Sequence, residues 1–291
     1  MSSPNDSFQN ITIVGLGLIG GSWGLALREQ GLRATRTGYD RPEILRLAVE
    51  RGIVDRGALD FPAAVRDADL IILATPVAAI LDLLPQLKGA IKPTALVTDT
   101  GSTKRLICRR AAEVFDGADL FVGGHPLAGK ERSGLEQAEA GLFKGARYVL
   151  TPRSPDDLED RRVKAFVELV KAAGALPFVT DPTSHDRAVA FLSHLPQLVS
   201  TGLASLIAEQ GAEDFLPPEL AASGFRDVTR LAESPYNVWR DICLTNIENI
   251  QSALESLIEK LEDMKMHLSD RELEREFKQA LKLREKLREI R

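Results

Sequence analysis

Cysteine and histidine are scarce in this chain, with two of the former and four of the latter in 291 residues. Cys108 and Cys243 stand far apart and match no metal-ligand spacing. A disulfide scaffold and a cysteine-rich zinc module are thereby excluded, no metal site is expected, and free thiols in the reducing cytoplasm are expected instead. Positive charge is not in excess, and a net charge of -5 offers no attraction to nucleic acid or to an anionic membrane surface. The first ten residues lack the charged and apolar regions of a signal peptide, and residues 1–10 are expected to be disordered. No apolar run in the sequence approaches the ~20 residues that span a bilayer. What is present is an apolar fraction of 44% with 27% charged residues, over a length that supports two packed units.

The run Ile11-Thr12-Ile13-Val14 enters Gly15-Leu16-Gly17-Leu18-Ile19-Gly20, and twenty residues later the chain reads Tyr39-Asp40. A strand-like run before a G-x-G-x-x-G turn, a helix-like run after it and an acid at that distance form a dinucleotide-binding fingerprint. Gly15 makes the tight turn, Gly17 admits a pyrophosphate, and Gly20 permits close helix–strand packing. The helix that begins at Leu18 and Ile19 points its first N–H groups at the phosphates. Asp40 is placed to bind ribose hydroxyls and repel the extra phosphate of NADP, which favours NAD; Arg41 beside it argues the other way, with less weight. Ala74-Thr75-Pro76 closes another strand at its carboxyl end, so Thr75 and Pro76 are expected to line the nicotinamide side, with Gly101 and Ser102 after the next strand.

Strand-like runs at 11–14, 35–39, 70–74, 96–99, 120–123, 147–150 and 176–179 alternate with helix-periodic runs at 22–30, 41–51, 77–87, 103–115 and 155–173. This alternation predicts an α/β fold: a doubly wound, Rossmann-like parallel sheet over residues 1–181. Beyond Asp181-Pro182 the runs 184–209, 218–232, 234–263 and 269–290 are helix-periodic, predicting an all-α C-terminal unit over 182–291. Ser269 and Glu272 read as a capping box. The sparse stripe Leu273, Phe277, Leu281, Leu287 needs a surface to lie on, either its own unit or a partner subunit.

Three further clusters follow strand ends or open helices. They are Asp99-Thr100-Gly101-Ser102-Thr103-Lys104, Gly124-His125-Pro126-Leu127-Ala128-Gly129 and Ser193-His194-Leu195-Pro196. His125 falls in a glycine-flanked loop just after a strand, at the sheet edge that holds the cofactor. His194 is either a site residue or an interdomain packing residue. His185 and His267 read as solvated.

These clusters, the glycine fingerprint and residues 224–232 (Gly-Phe-Arg-Asp-Val-Thr-Arg-Leu-Ala) together resemble the prephenate/arogenate dehydrogenases of tyrosine biosynthesis. The resemblance implies NAD-dependent oxidative decarboxylation of prephenate by a homodimer joined through its helical domain. It implies that His125 is the catalytic acceptor facing the substrate hydroxyl, with Ser102 orienting it and the nicotinamide and with His194 positioning substrate. Arg230 matches the arginine that binds a substrate carboxylate, and an arginine there favours prephenate over arogenate, whose amino group suits an acid. Asp227 and Glu131 are implied as partners of that arginine or as gates, and Trp239 as a wall of the pocket or a core residue. Lys130 departs from the small polar residue of some relatives. Activity is expected to rise with pH through a group of pKa ~6.5. The readings in competition are arogenate dehydrogenase, a β-hydroxyacid dehydrogenase relying on a lysine of the helical domain, and a dinucleotide-binding sensor without catalysis.

Overall fold

The structure is a computed structural model that describes residues 7–117, 120–130, 132–211 and 218–289. The sheet half contains β1 (Asn10–Val14), α1 (Leu18–Glu29), β2 (Thr35–Tyr39), α2 (Pro42–Glu50), β3 (Arg56–Ala58), α3 (Phe61–Val65), β4 (Leu70–Leu73) and α4 (Val77–Leu87). It continues with β5 (Leu96–Asp99), α5 (Arg105–Val114), β6 (Phe121–Pro126), β7 (Arg147–Thr151), α6 (Arg161–Ala172) and β8 (Leu176–Val179). The helical half holds α7 (Pro182–Val189), α8 (Leu195–Gly211), α9 (Ser223–Thr229), α10 (Tyr236–Thr245), α11 (Ile247–Met266) and α12 (Arg271–Glu289).

One eight-stranded sheet has the order β3-β2-β1-β4-β5-β6-β7-β8. Strand order reverses between β1 and β4, the switch point at which open sheets of this kind bind ligands beyond their carboxyl ends. Both faces are covered, which is why the central strand β4 is buried and apolar at every position. Along β4, Leu70 and Ile72 join the layer of Trp23 and Phe166, while Ile71 and Leu73 join that of Ile80 and Ile107. Trp23 stacks 5.1 Å from Phe143 and 5.9 Å from Phe166 between ring centroids, filling the space under α1. Each such fully buried apolar side chain contributes about 1.5–3 kcal/mol.

The departures from the sequence reading are local. β7 runs antiparallel to β6, so β7 and β8 reverse the direction of an otherwise parallel sheet. β3 is three residues long and carries no apolar alternation, which hides it from pattern reading. Ser7–Asn10 are ordered: Phe8 is buried in the core, and Asp69 accepts the N–H groups of Gln9 and Asn10 at 2.9 Å each. Residues 1–6 lie outside the described residues. The helix expected over 155–173 is divided at Asp160, whose carboxylate caps α6. Asn246 separates α10 from α11 in what the sequence presents as one helix. The cap of α12 is Asp270, which accepts the Glu272 N–H at 2.9 Å, and Ser269 belongs to the preceding turn.

α7 runs through a π-helical turn, Ala190–His194, into α8. This continuous helical run, Pro182–Gln210, is by length and composition alone apolar enough to cross a membrane, although it contains no long uninterrupted apolar stretch. Its residues Ala190, Leu195 and Leu198 pack with Ile242 and Ile250 in the core of the helical half.

Gly20 is buried where α1 crosses the glycine turn, and a Cβ there would lie 1.9 Å from the Gly15 carbonyl oxygen. That contact is with backbone, so it is relieved only by moving α1. Gly20→Ala is expected to cost at least about 2 kcal/mol and to lower the melting temperature by several degrees. A thermal scan with the midpoint unchanged to within about a degree would contradict this packing.

Candidate active site

Two rims meet at the carboxyl edge of the sheet. On the first, Gly15 turns at φ +87°, and its N–H donates to the Tyr39 carbonyl at 2.9 Å. Gly17 caps α1 without a side-chain bond, the first turn of α1 contains no acid, and a Cβ on Gly17 would meet nothing within 4 Å. Uncapped amides facing open space are what a diphosphate requires. Asp40 follows β2 and ties it to the turn, accepting the Leu16 N–H on Oδ2 and the Arg41 N–H on Oδ1, both at 2.7 Å. Its remaining lone pairs are available to ribose hydroxyls. Arg41 projects into solvent, with Nε 3.5 Å from Glu43 and 3.9 Å from Asp40, so the acids around it weaken its claim on a phosphate. Thr75 has a buried hydroxyl with no hydrogen-bond partner beside Gly15, and Pro76 caps α4. An orphaned hydroxyl at this edge fits a ligand that supplies the missing bond. The open cradle and the acid at the end of β2 fit a dinucleotide.

The second rim rests on buried charge. Lys104 and Asp99 are fully buried and ion-paired, and the Lys104 ammonium also donates to the Gly124 carbonyl at 2.7 Å. Asp99 accepts the Gly101 N–H at 2.8 Å and the Gly124 N–H at 3.1 Å. The segment carrying Ser102 is thereby fastened to β6.

His125 is a strand residue, paired with Val149 of β7, and not part of a loop: β6 extends through Pro126. Its Nδ1 lies 2.9 Å from Nε2 of His185, and His185 Nδ1 lies 2.8 Å from Asp186 Oδ1. Asp186 also accepts the N–H groups of Lys104 and Arg105, at 2.6 and 2.9 Å, at the start of α5. His185 is therefore buried against His125 and Asp186, not solvated. His267 is the half-exposed residue expected, set between Asp263 and Glu272 at 3.4 Å each, and its imidazole is held above the usual range by a hydrogen bond to the Asp263 carbonyl and by nearby acids. Burial first, then His185, Lys104 and His194, holds the His125 imidazole well below its ordinary range.

A cavity of about 190 Å³ brings together Ser102, His125, Lys130, Ser193, His194 and Trp239. His194 is turned inward by the π-helical segment, with Nδ1 3.3 Å from the Asn246 amide and its ring edge-on to Trp239 at 5.9 Å. Burial lowers its pKa to about 4, against the opposing pull of Asp186. His125 is held by His185 and not by Ser102, although Ser102 shares the cavity. Lys130 is engaged with the Gln137 carbonyl and with Glu139 at 2.9 Å. Arg230 and Asp227 do not line this cavity: Asp227 is exposed on α9, and Arg230 opens the 3-10 turn Arg230–Glu233, also exposed. Asp227 thus lies on α9 and Arg230 at its C-terminal cap. Glu131 lies outside the described residues. Burial pushes the Cys108 thiol up to about 11, which removes it as a nucleophile.

Residues 23–176 match the family model "Prephenate dehydrogenase, nucleotide-binding domain", and residues 181–283 match "Prephenate dehydrogenase, dimerization domain". A prephenate dehydrogenase of Lactococcus lactis is 34% identical, over 95% of this chain and 77% of that one. Among solved structures, a prephenate dehydrogenase of A. aeolicus in complex with hydroxyphenyl propionate and NAD+ is 32% identical with a TM-score of 0.84, covering 97% of this chain and 98% of that one. An arogenate dehydrogenase of Synechocystis is 34% identical with a TM-score of 0.81, over 96% and 99%. With family models matched over residues 23–176 and 181–283 and a relative 34% identical over 95% of this chain, the chain belongs to the prephenate dehydrogenase family.

Proposed function

We propose that this protein catalyses the NAD-dependent oxidative decarboxylation of prephenate to 4-hydroxyphenylpyruvate. The observation that carries the reading is the placement of His125 in one cavity with Ser102 and His194, where burial and nearby charges hold its imidazole well below the ordinary range. The relatives named above support both cofactor and reaction. Two units divide the work: residues 1–181 hold the cofactor and residues 182–291 complete the substrate site and dimerise.

NAD, when bound, supplies the hydride acceptor. Gly15, Gly17, Leu18, Ile19 and Gly20 hold its diphosphate end, Asp40 its ribose, and Thr75, Pro76, Gly101 and Ser102 border the nicotinamide. His125 accepts the proton of the substrate hydroxyl as positive character develops on the carbinol carbon, and returns it to the phenol once carbon dioxide has left and the ring is aromatic. The reaction releases no net proton, so the imidazole needs to hold one and give it back. Ser102 and His194 position the substrate ring, and Trp239 walls the cavity. Arg230 pairs with a carboxylate of the substrate and selects prephenate over arogenate, with Asp227 and Glu131 controlling entry.

A homodimer joined through the helical half is part of this proposal. α12 buries none of its residues within the chain, and 22% of the apolar window in Pro182–Gln210 is buried there. The matching family model is that of a dimerization domain.

The direct test is NADH formation from prephenate and NAD, with arogenate and NADP in parallel. Prephenate with NAD is expected to be the best pair, His125→Asn to abolish most turnover with NAD affinity retained, and no signal with either acid would end the reading. His125 acts unprotonated, so activity is present above its pKa and lost as pH falls through it. Because that pKa is held well below 6.5, kcat/KM is expected to stay flat from about pH 8 down to 6.5 and to decline only in more acid solution. This corrects the limb near 6.5 that an unperturbed histidine implies, and a limb at or above 6.5 would contradict it. Arg230→Ala is expected to raise the KM for prephenate about tenfold with a smaller change in kcat, as for loss of one charge-assisted pair. Steady-state kinetics with an unchanged KM would remove Arg230 from the site.

A further inference from the structure

We propose that His185, keyed by Asp186, is a positioning residue that holds His125 in the tautomer with a proton on Nδ1 and a bare Nε2. The inference rests on His125 being the acceptor of the substrate proton and supplies what that role requires.

The Asp186 carboxylate sets the order. Its oxygens accept the N–H groups of Lys104 and Arg105, at 2.6 and 2.9 Å, and these amides at the start of α5 have no partner inside their own helix. A carboxylate has acceptors only, so in its third hydrogen bond, at 2.8 Å, the donor is His185 Nδ1. A neutral imidazole with its proton on Nδ1 presents only a lone pair at Nε2. With His185 uncharged, the 2.9 Å contact from its Nε2 to His125 Nδ1 assigns the shared proton to His125. His125 Nε2 is left without a proton, which is the form a base needs. Reversing His185 would set its Nδ1 lone pair against a carboxylate oxygen in a site that is 2% exposed, with no water to compensate.

The neighbouring charges are consistent with this arrangement. Lys104 and Asp99 pair at the end of β5, and His194 approaches from the π-helical turn. The Tyr148 hydroxyl lies beyond Gly124 on β7. Among these described groups, Asp186 is the acid hydrogen-bonded to the His125–His185 pair. When His125 takes the substrate proton, its Nδ1–H still donates to His185, which relays the pull of that carboxylate to the new cation.

The tautomer is observable without turnover. Long-range proton–nitrogen NMR of the full-length, nitrogen-15 histidine-labelled protein at neutral pH, without substrate, is expected to show a protonated Nδ1 and a bare Nε2 at His125, assigned by its loss in H125N. H185L removes the acceptor. It is expected to lower kcat at least about tenfold while the KM for prephenate and the Kd for NAD stay within about twofold. H185Q, whose amide oxygen restores an acceptor near the Nε2 position, is expected to recover most of the loss. A bare Nδ1 at His125 in the unmodified protein overturns the proposal, and that spectrum decides the matter where H185L fails to fold. Undiminished kcat in H185L, or H185Q no better than H185L, also overturns it. Absence of prephenate turnover in the unmodified protein would instead strike the functional reading and leave the tautomer result standing.

Discussion

Lys104 carries its ammonium to a place with no solvent contact, and the site is arranged around what that charge needs. The side chain takes Asp99 and the Gly124 carbonyl, while the backbone N–H of the same residue takes Asp186. One residue thus joins the end of β5, the strand that bears His125, and the helix that bears His185. Burying such a pair gives little net stability, because desolvation offsets the attraction; removing one partner costs about 3–5 kcal/mol, because the other charge is stranded. The pair is better understood as a constraint on geometry than as a source of stability. It also places a cation near His125 and so disfavours protonation of that imidazole.

Much of the sheet half was legible because its signals are local. β1, β2, β4 and β5 are short β-branched or apolar runs closed by turn residues, and their carboxyl ends are where the glycine turn, Thr75 and Ser102 fall. What escaped is what locality cannot encode. β3 has no apolar side to show, and the direction of β7 depends on which neighbour it finds and not on its own residues. The breaks at Asp160 and Asn246 arise where a polar side chain takes a backbone partner, the Arg162 N–H for Asp160 and the Asp186 carbonyl for Asn246, a choice settled by tertiary surroundings. Phe8 was read with its polar neighbours and is a core residue.

At the site, His125, Ser102, His194 and Trp239 were found from their motifs and do converge on one cavity. His185 was not. Its partner is 60 positions away, and a histidine beside an aspartate after a Pro-Thr-Ser turn has no pattern that separates it from a surface residue. The adjacent acid was the usable signal: a His-Asp pair opening a helix that follows the sheet has reason to be buried. Arg230 shows the opposite case, a residue strongly marked by its motif that one chain by itself leaves on the outside.

The helices that open toward the crevice differ in what satisfies their first turns. Asp241 reaches from α10 to the Ala78 N–H at the start of α4, and Asp186 reaches from α7 to the start of α5, so carboxylates from the helical half already occupy both. The first turn of α1 contains no acid and receives no such bond among the described residues. Small oxyanions therefore find one socket here and not three.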